Sequence, residues 1–130
     1  MVGDKMINLS SYQGAIYEEL NKLGYEVYDE VPENAKFPYV VIGDIEFNEA
    51  QNHFDDLLDI SLNILIWSIW EGKKEVNDIC SNIINYFSNL REKKINNQSL
   101  YNFSLGNSTI KRYDGIYNGS LTLDFSIKQI

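Results

Sequence analysis

The chain has 130 residues, of which 44% are hydrophobic and 13% aromatic, and its formal net charge is -8. This length predicts one domain, residues 1–130, and the acidic balance disfavours ordinary nucleic-acid binding because it repels phosphate backbones. No apolar run approaches the roughly 18 residues of a membrane span, and the single cysteine, Cys80, excludes an internal disulfide. We therefore expect synthesis in the cytoplasm and no membrane contact.

The first half of the chain predicts one helix followed by three strands. Residues 9–26 have a helical apolar stripe, with Ser10 or Ser11 as the expected N-cap and Gly24 at the C-terminal end. A brief strand is expected over residues 25–31, where Pro32 stops it, and a second over residues 39–47. Residues 57–70 alternate between an apolar and a mixed face, which predicts a long strand.

The second half predicts a helix and a hairpin. Within residues 71–94, apolar side chains recur at helical spacing. A polar linker follows, and then two strands, roughly residues 101–113 and 117–130, joined at Asp114 and Gly115, a typical hairpin turn. The last strand should direct Leu121, Leu123, Phe125 and Ile127 inward. The predicted fold class is α+β, a largely antiparallel β-sheet of four to five strands with two α-helices packed on one face.

No segment carries an enzyme signature. His53, the only histidine, lies in an acidic loop, where a metal or acid-base role would need converging ligands that the sequence does not establish. Cys80 lies on the apolar stripe of the second helix, which favours a small core residue over a nucleophile. Residues 91–94 are charged and are interpreted as a solvated helix end that interacts with the helix dipole. We therefore predict no catalytic residue, no metal site and no cofactor.

Four aromatic residues near strand ends allow two interpretations of their role. Trp67, Trp70, Tyr113 and Tyr117 could stack on a ligand, or they could pack in the core or at a subunit interface. Packing is the commoner use, because buried aromatic area stabilises cores and interfaces alike.

Four stretches in chain order resemble one family. They are AIYEEL in the first helix, VYDEVPENAKFPYVVIGD from the short strand into the second, IWSIWEGKKEVNDI from the third strand into the second helix, and YDGIYNGSLTLDFSI at the end. Together they span nearly the whole chain. The sequence thus resembles the tail completion, or tail terminator, proteins of tailed bacteriophages and phage-like particles. Two stretches depart from the pattern, the acidic loop EAQNHFDDLLD and the segment REKKINNQSLYNFSL.

The resemblance implies a structural protein of the virion and not an enzyme. Such proteins form a ring, commonly a hexamer, that caps the head-proximal end of the tail tube, stops its polymerisation and joins the tail to the head. The implied partners are further copies of the chain, the tail tube protein and a head-completion or connector protein, with DNA only passing through the lumen.

The interface candidates follow from the loops and strand ends of this scheme. Tyr28, Asp29 and Pro32 shape the first loop, His53, Phe54, Asp55 and Asp56 project from the second, and Trp67 and Trp70 flank the third. From the net charge we also expect acidic residues, among them Asp59, to line part of the lumen so that DNA passes without sticking.

Two alternatives remain open at the level of sequence. The same ring could end the tube of a headless contractile bacteriocin particle, where it would meet no DNA. The chain could instead be a small enzyme or ligand-binding domain, which would show a deep pocket with converging polar groups.

Overall fold

The computed structural model describes residues 8–49, 57–69, 72–90, 94–95 and 98–128. Their secondary structure runs in the order helix, three strands, helix, three strands. The elements are α1 (Leu9–Asn21), β1 (Val27–Tyr28), β2 (Tyr39–Glu49), β3 (Leu57–Ser68), α2 (Lys74–Ser88), β4 (Lys94–Ile95), β5 (Gln98–Tyr113) and β6 (Ile116–Lys128).

The strands form one sheet in the order β1-β2-β3-β6-β5-β4. All neighbouring strands are antiparallel except β1 and β2, which pair in parallel through Val27 and Tyr28. Two of the six strands have only two residues. The predicted α+β class with a largely antiparallel sheet is confirmed. The strand predicted over residues 25–31 is much shorter, because only Val27 and Tyr28 reach a partner strand.

Helix α1 begins two or three residues earlier than its predicted N-cap indicates. The N-cap is Asn8, whose side-chain Oδ1 accepts a hydrogen bond from Ser11 N at 3.2 Å, so the prediction of Ser10 or Ser11 was wrong. Asparagine caps as well as serine, and its position fits the apolar stripe of this helix. That stripe is confirmed, since Tyr12, Ile16 and Leu20 are buried.

A bulge in β2 keeps its apolar side chains on the core side of the sheet. Ile42 lies opposite Ile64 and Ile45 opposite Leu62, so β2 contains one more residue than β3 between these pairs. Without the extra residue, Asp44 and Glu46 would follow Ile42 on the core face, because side chains alternate along a strand. The bulge places Ile45 and Phe47 against the core instead.

Both helices pack on the same face of the sheet. The ring of Tyr12 in α1 lies 6.3 Å from that of Phe47 in β2, and Phe87 in α2 stacks on Phe125 in β6 at 6.1 Å. Helix α2 lies close against the sheet at Gly119, where Val76 and Cys80 would contact any added Cβ. The predicted placement of the helices and the inward set Leu121, Leu123, Phe125 and Ile127 are confirmed.

Helix α2 ends well before residues 91–94. Its last residue is Ser88, its C-cap is Asn89, and no basic residue lies in its last turn. Lys94 belongs to strand β4, so the prediction that residues 91–94 close the helix was wrong at Lys94, and residues 91–93 lie outside the described residues. Polar composition made this segment look like a helix end and a linker, whereas pairing with β5 makes Lys94–Ile95 a strand.

The hairpin between β5 and β6 turns where predicted. Asp114 has φ 33° and Gly115 φ 85°, and Tyr113 pairs with Ile116 across a two-residue loop. Both central residues therefore have the positive φ of a type I′ turn, which favours the Asp-Gly pair. Strand β5 begins at Gln98, three residues before the predicted start.

Candidate assembly interface

One face of the sheet carries no helix in the described part of the chain. It is formed by the side chains that alternate with the core residues, and its rows follow the strand register. One row contains Tyr39, Trp67, Asn118 and Lys111; another contains Glu46, Ser61, Asp124 and Ser104. We call this surface the helix-free face. Its two ends differ in chemistry.

Aromatic side chains cluster at one end of the helix-free face. The ring of Tyr39 lies 5.8 Å from that of Tyr28 and 5.2 Å from that of Phe37, and the ring of Trp67 lies 6.2 Å from that of Tyr113. Tyr39 and Trp67 are register partners, so the two groups adjoin. We call these five residues the aromatic patch. Tyr113 is 49% exposed, and Ile69, just beyond β3, is 56% exposed.

The opposite end of the helix-free face is acidic. Asp59, Asp124 and Asn48 line a shallow depression of about 230 Å³. Ser126 Oγ donates a hydrogen bond to Asp59 Oδ1 at 2.5 Å, and Asp59 stays exposed to solvent. Glu46 lies in the same row as Asp124. Between the two ends, Asn63 Nδ2 donates to Ser120 Oγ at 3.1 Å and to the Leu121 carbonyl at 3.0 Å.

The structure brings together two of the interface candidates and separates two others from them. Tyr28 and Trp67 both belong to the aromatic patch. Asp29 lies toward the other face, where it lines a groove with Gln13 and Tyr17 of α1. Pro32 is exposed in a turn closed by a hydrogen bond from Ala35 N to the Pro32 carbonyl at 3.1 Å. His53, Phe54, Asp55, Asp56 and Trp70 lie outside the described residues.

Sequence reasoning missed Phe37 and Tyr39 as members of the aromatic patch. The alternation of β2 gave a usable signal, because Val40 and Ile42 on the core side leave Tyr39 and Val41 on the other. The contact with Tyr28 required the parallel pairing of β1 with β2, which places Tyr28 opposite Val41.

Cys80 is a core residue, as predicted. Its side chain is 4% exposed and packs beneath α2, and burial raises the pKa of the thiol to about 11. A raised pKa works against the thiolate that nucleophilic or metal-binding cysteines require. Among the described residues, no group of histidine, cysteine and acidic side chains could hold a metal ion. No helix in that part of the chain has the length and apolar character to cross a membrane.

One carboxylate is buried in the core region. Glu19 is 5% exposed, its Oε1 accepts a hydrogen bond from Tyr86 Oη at 2.6 Å, and its Oε2 lies 2.6 Å from Lys22 Nζ. Burial, followed by the adjoining Glu19 carboxylate, raises the pKa of Tyr86 to about 12. The neighbours of this group are a tyrosine and a lysine that satisfy both carboxylate oxygens, so we assign it a structural role.

One curated relative is similar over a limited region. A probable cytochrome P450 of Dictyostelium discoideum is 33% identical over 104 residues, which are 75% of this chain and 15% of the relative. The chain therefore spans about 15% of the length of this relative.

A solved structure shares the fold. A chain in the virion of a native gene transfer agent particle superposes with a TM-score of 0.67 at 16% identity, covering 89% of this chain and 93% of that one. At this identity the similarity shows the fold alone.

A family model identifies the chain. The model described as tail completion protein gp17 matches residues 16–127, from the middle of α1 to the end of β6. The match covers most of the chain and agrees with the resemblance carried by the four sequence stretches. The protein is thus a structural protein of a phage-type tail, located in the virion, and it belongs to the family of the tail completion protein gp17.

Proposed function

We propose that the protein forms a closed ring, with six copies as the expected number, that caps the head-proximal end of the tail tube. Closure of the ring ends tube polymerisation, and the far side of the ring joins a head-completion or connector protein. Membership of the tail completion family supports this role. The proposed function consists of binding to other proteins, so it depends on the surfaces that contact them.

The aromatic patch is the observation that carries the proposal. Large aromatic side chains that remain partly open to solvent on a rigid sheet are typical of protein interfaces, where they supply most of the binding energy. In the proposed assembly, Trp67 and Tyr28 contact the last layer of tube subunits. The loop residues Asp29 and Pro32, together with His53, Phe54, Asp55, Asp56 and Trp70, are proposed as further contacts with neighbouring virion proteins.

The acidic end of the helix-free face suits a lumen through which DNA passes. Asp59, Asp124 and Glu46 place negative charge on one surface, which repels a phosphate backbone. In the proposed ring these side chains face the channel, so DNA moves past them without binding.

The test is a capping assay with purified tail tube protein. Negative-stain microscopy should show wild-type protein at one end of each tube, and Trp67→Ala should weaken capping by about 30-fold, as expected for an interface residue worth about 2 kcal/mol. Tyr101→Ala is the matched control, because Tyr101 is 42% exposed on β5 and lies in the row of Ser126, at the opposite end of the sheet from the patch.

Folding of both variants is checked by circular dichroism and urea unfolding. If Trp67→Ala capped tubes at the same protein concentration as wild type, the aromatic patch would not be part of the interface with the tube. Tubes that continue to grow in the presence of wild-type protein would refute the proposed function itself.

A further inference from the structure

Strands β1 and β5 form the two side edges of the sheet at the end that carries the aromatic patch. One register row crosses the sheet there and contains Val27, Val40, Ile66, Gly119 and Ile110. Strand β4 pairs only with the opposite end of β5, so β1 and β5 are the outermost strands of this row in the described part of the chain. Five strands spaced by about 4.8 Å place the two edges about 19 Å apart, so they do not meet within one copy.

The β5 edge is basic at this level. Lys111 lies opposite Asn118 and Arg112 opposite Tyr117. Arg112 Cζ lies 5.9 Å from the centre of the Tyr117 ring, which belongs to the core on the helix side, so Lys111 faces the helix-free side. Both cations are exposed, and β5 contains no acidic residue. In a chain of net charge -8, such an edge is complementary to the acidic surfaces of the same molecule.

The β1 edge carries an acidic residue at the level of Lys111. Glu26 precedes Val27, and its carbonyl accepts a hydrogen bond from Val40 N at 2.8 Å, which holds it beside β2. Val27 is a core residue, so the exposed side chain of Glu26 faces the helix-free side. The two edges therefore place opposite charges in one row and on one side of the sheet.

A groove of about 460 Å³ lies on the helix side of the β1 edge. It is lined by Tyr25, Pro38, Lys74, Glu75, Asp78 and Ile79. Ser68 Oγ donates a hydrogen bond to Glu75 Oε1 at 2.6 Å, and Ser68 lies in the register row of Tyr117 and Arg112. The groove is therefore level with Arg112 and on the same side of the sheet.

The chemistry of this groove suits a guanidinium group. The ring of Tyr25 is held against α2, because its Oη accepts a hydrogen bond from Asn82 Nδ2 at 2.8 Å. Asp78 pairs with Lys74 at 2.7 Å, yet 60% of its side chain remains exposed. An aromatic ring beside an accessible carboxylate offers both the stacking and the charge that arginine favours.

A rotation about an axis along the strands brings the two edges together. It keeps every residue at its level and keeps the helices of all copies on one side. Strand β1 is parallel to β2, and three antiparallel steps lead from β2 to β5, so the adjoining edges run antiparallel. Each contact joins two different patches, and such head-to-tail contacts close into rings.

We propose that neighbouring copies of this chain adjoin through these edges. Lys111 of one copy lies opposite Glu26 of the next, and Arg112 enters the neighbour's groove beside Tyr25 and Asp78. The occupant of the groove is thus a second copy of the chain, and charge is complementary on both sides of the sheet. This inference rests on the proposed ring.

A charge swap tests the contact between Lys111 and Glu26. Lys111→Glu and Glu26→Lys each place like charges opposite one another, so each should raise the protein concentration at half-assembly at least about fivefold. The double variant restores opposite charges at every contact and should assemble at the wild-type concentration. Size-exclusion chromatography with light scattering over a dilution series follows the mass from the 15.0 kDa of one chain to about six chains.

Arg112→Ala tests the groove separately. It removes the guanidinium and leaves Lys111 and Glu26 in place, and it should raise the concentration at half-assembly about fivefold. Arg112→Lys keeps the charge and should recover part of this loss. Assembly of Arg112→Ala at the wild-type concentration would show that the groove is not part of the contact.

Glu49→Lys is the matched control for Glu26→Lys. It makes the same charge change at an exposed residue, but Glu49 lies at the opposite end of β2, so wild-type assembly is expected. The interface is overturned if either single reversal assembles at the wild-type concentration, or if the double variant assembles no better than the single ones. Loss of assembly in Glu49→Lys, or a wild-type chain that is monomeric at every concentration, also overturns it. The double variant guards against misfolding, because a second substitution does not repair a chain that the first has merely unfolded.

The capping assay separates this inference from the proposed function. Rings that follow the charge rule but leave tube growth unchanged would retain the interface and refute the capping role. Tubes capped equally well by wild type and by both single reversals would retain the capping role and refute the interface.

Discussion

The sheet and α2 lie in close contact at Gly119, and Gly119→Ala should destabilise the fold. A Cβ at this position would lie 2.8 Å from Val76 Cγ2 and 3.0 Å from Cys80 Sγ, closer than carbon and sulfur atoms pack in proteins. Val76 is β-branched and fully buried, so its methyl group has little freedom to move away. The helix must shift relative to the strand.

The expected magnitude combines two effects of opposite sign. Overpacking of a filled core costs about 1 to 3 kcal/mol. Alanine restricts the unfolded chain more than glycine does, and this stabilises the folded state by about 0.5 to 1 kcal/mol. The midpoints of these two ranges give a net loss in the free energy of unfolding of about 1 kcal/mol.

Urea unfolding at one fixed protein concentration measures this loss, because the proposed ring would add stability that depends on concentration. A loss of about 1 kcal/mol should lower the midpoint by roughly 0.5 M urea at an unchanged slope. Gly14→Ala is the matched control. Gly14 is exposed within α1 with no atom near its Cβ position, so the same chemical change should stabilise the protein by about 0.5 to 1 kcal/mol.

A double-mutant cycle identifies the contact that causes the strain. Val76→Ala alone leaves a cavity and destabilises the fold. Combined with Gly119→Ala, it makes room for the new methyl group, so the double variant should be more stable than the sum of the two losses by about 1 kcal/mol. Equal stability of Gly119→Ala and wild type, or strict additivity in the cycle, would refute the reasoning from close approach.

Three further predictions concern ionisable groups. The pKa of Tyr86 is raised in the fold to about 12, so its contribution to stability is complete below its unfolded pKa near 10 and is lost as the pH rises toward 12. Urea midpoints across that range should therefore fall less steeply in Tyr86→Phe, and parallel curves would contradict the assignment. Cys80 should resist thiol reagents at pH 8 in the native state and react in urea, because it is buried and its pKa is raised; rapid native labelling would disprove its burial. Reversal of Asp59 and Asp124 to lysine should leave the proposed ring assembled and slow DNA passage, and unchanged infectivity would rule out the lumen role.

The elements that the sequence predicted well are those whose signal is local and repeated. The helical spacing of Val76, Ile79, Ile83 and Phe87 predicted the buried face of α2, because a period near 3.6 places these side chains on one side. The Asp-Gly pair predicted the hairpin turn, because its positive φ angles are intrinsic to those two residues. The order of the four family stretches predicted the tail completion family itself.

The tertiary structure decided everything that depends on which segments meet. The two-residue strands β1 and β4 exist only through their partners, and no local pattern specifies so short a pairing. The bulge in β2 shifts the alternation of its side chains, so that Ile45 and Phe47 pack against the core. Tyr28, Phe37, Tyr39, Trp67 and Tyr113 form one aromatic patch because four segments distant in sequence lie side by side in the sheet. Sequence periodicity reports which side of its own element a residue occupies, whereas contacts between elements are fixed by packing the whole chain around one core.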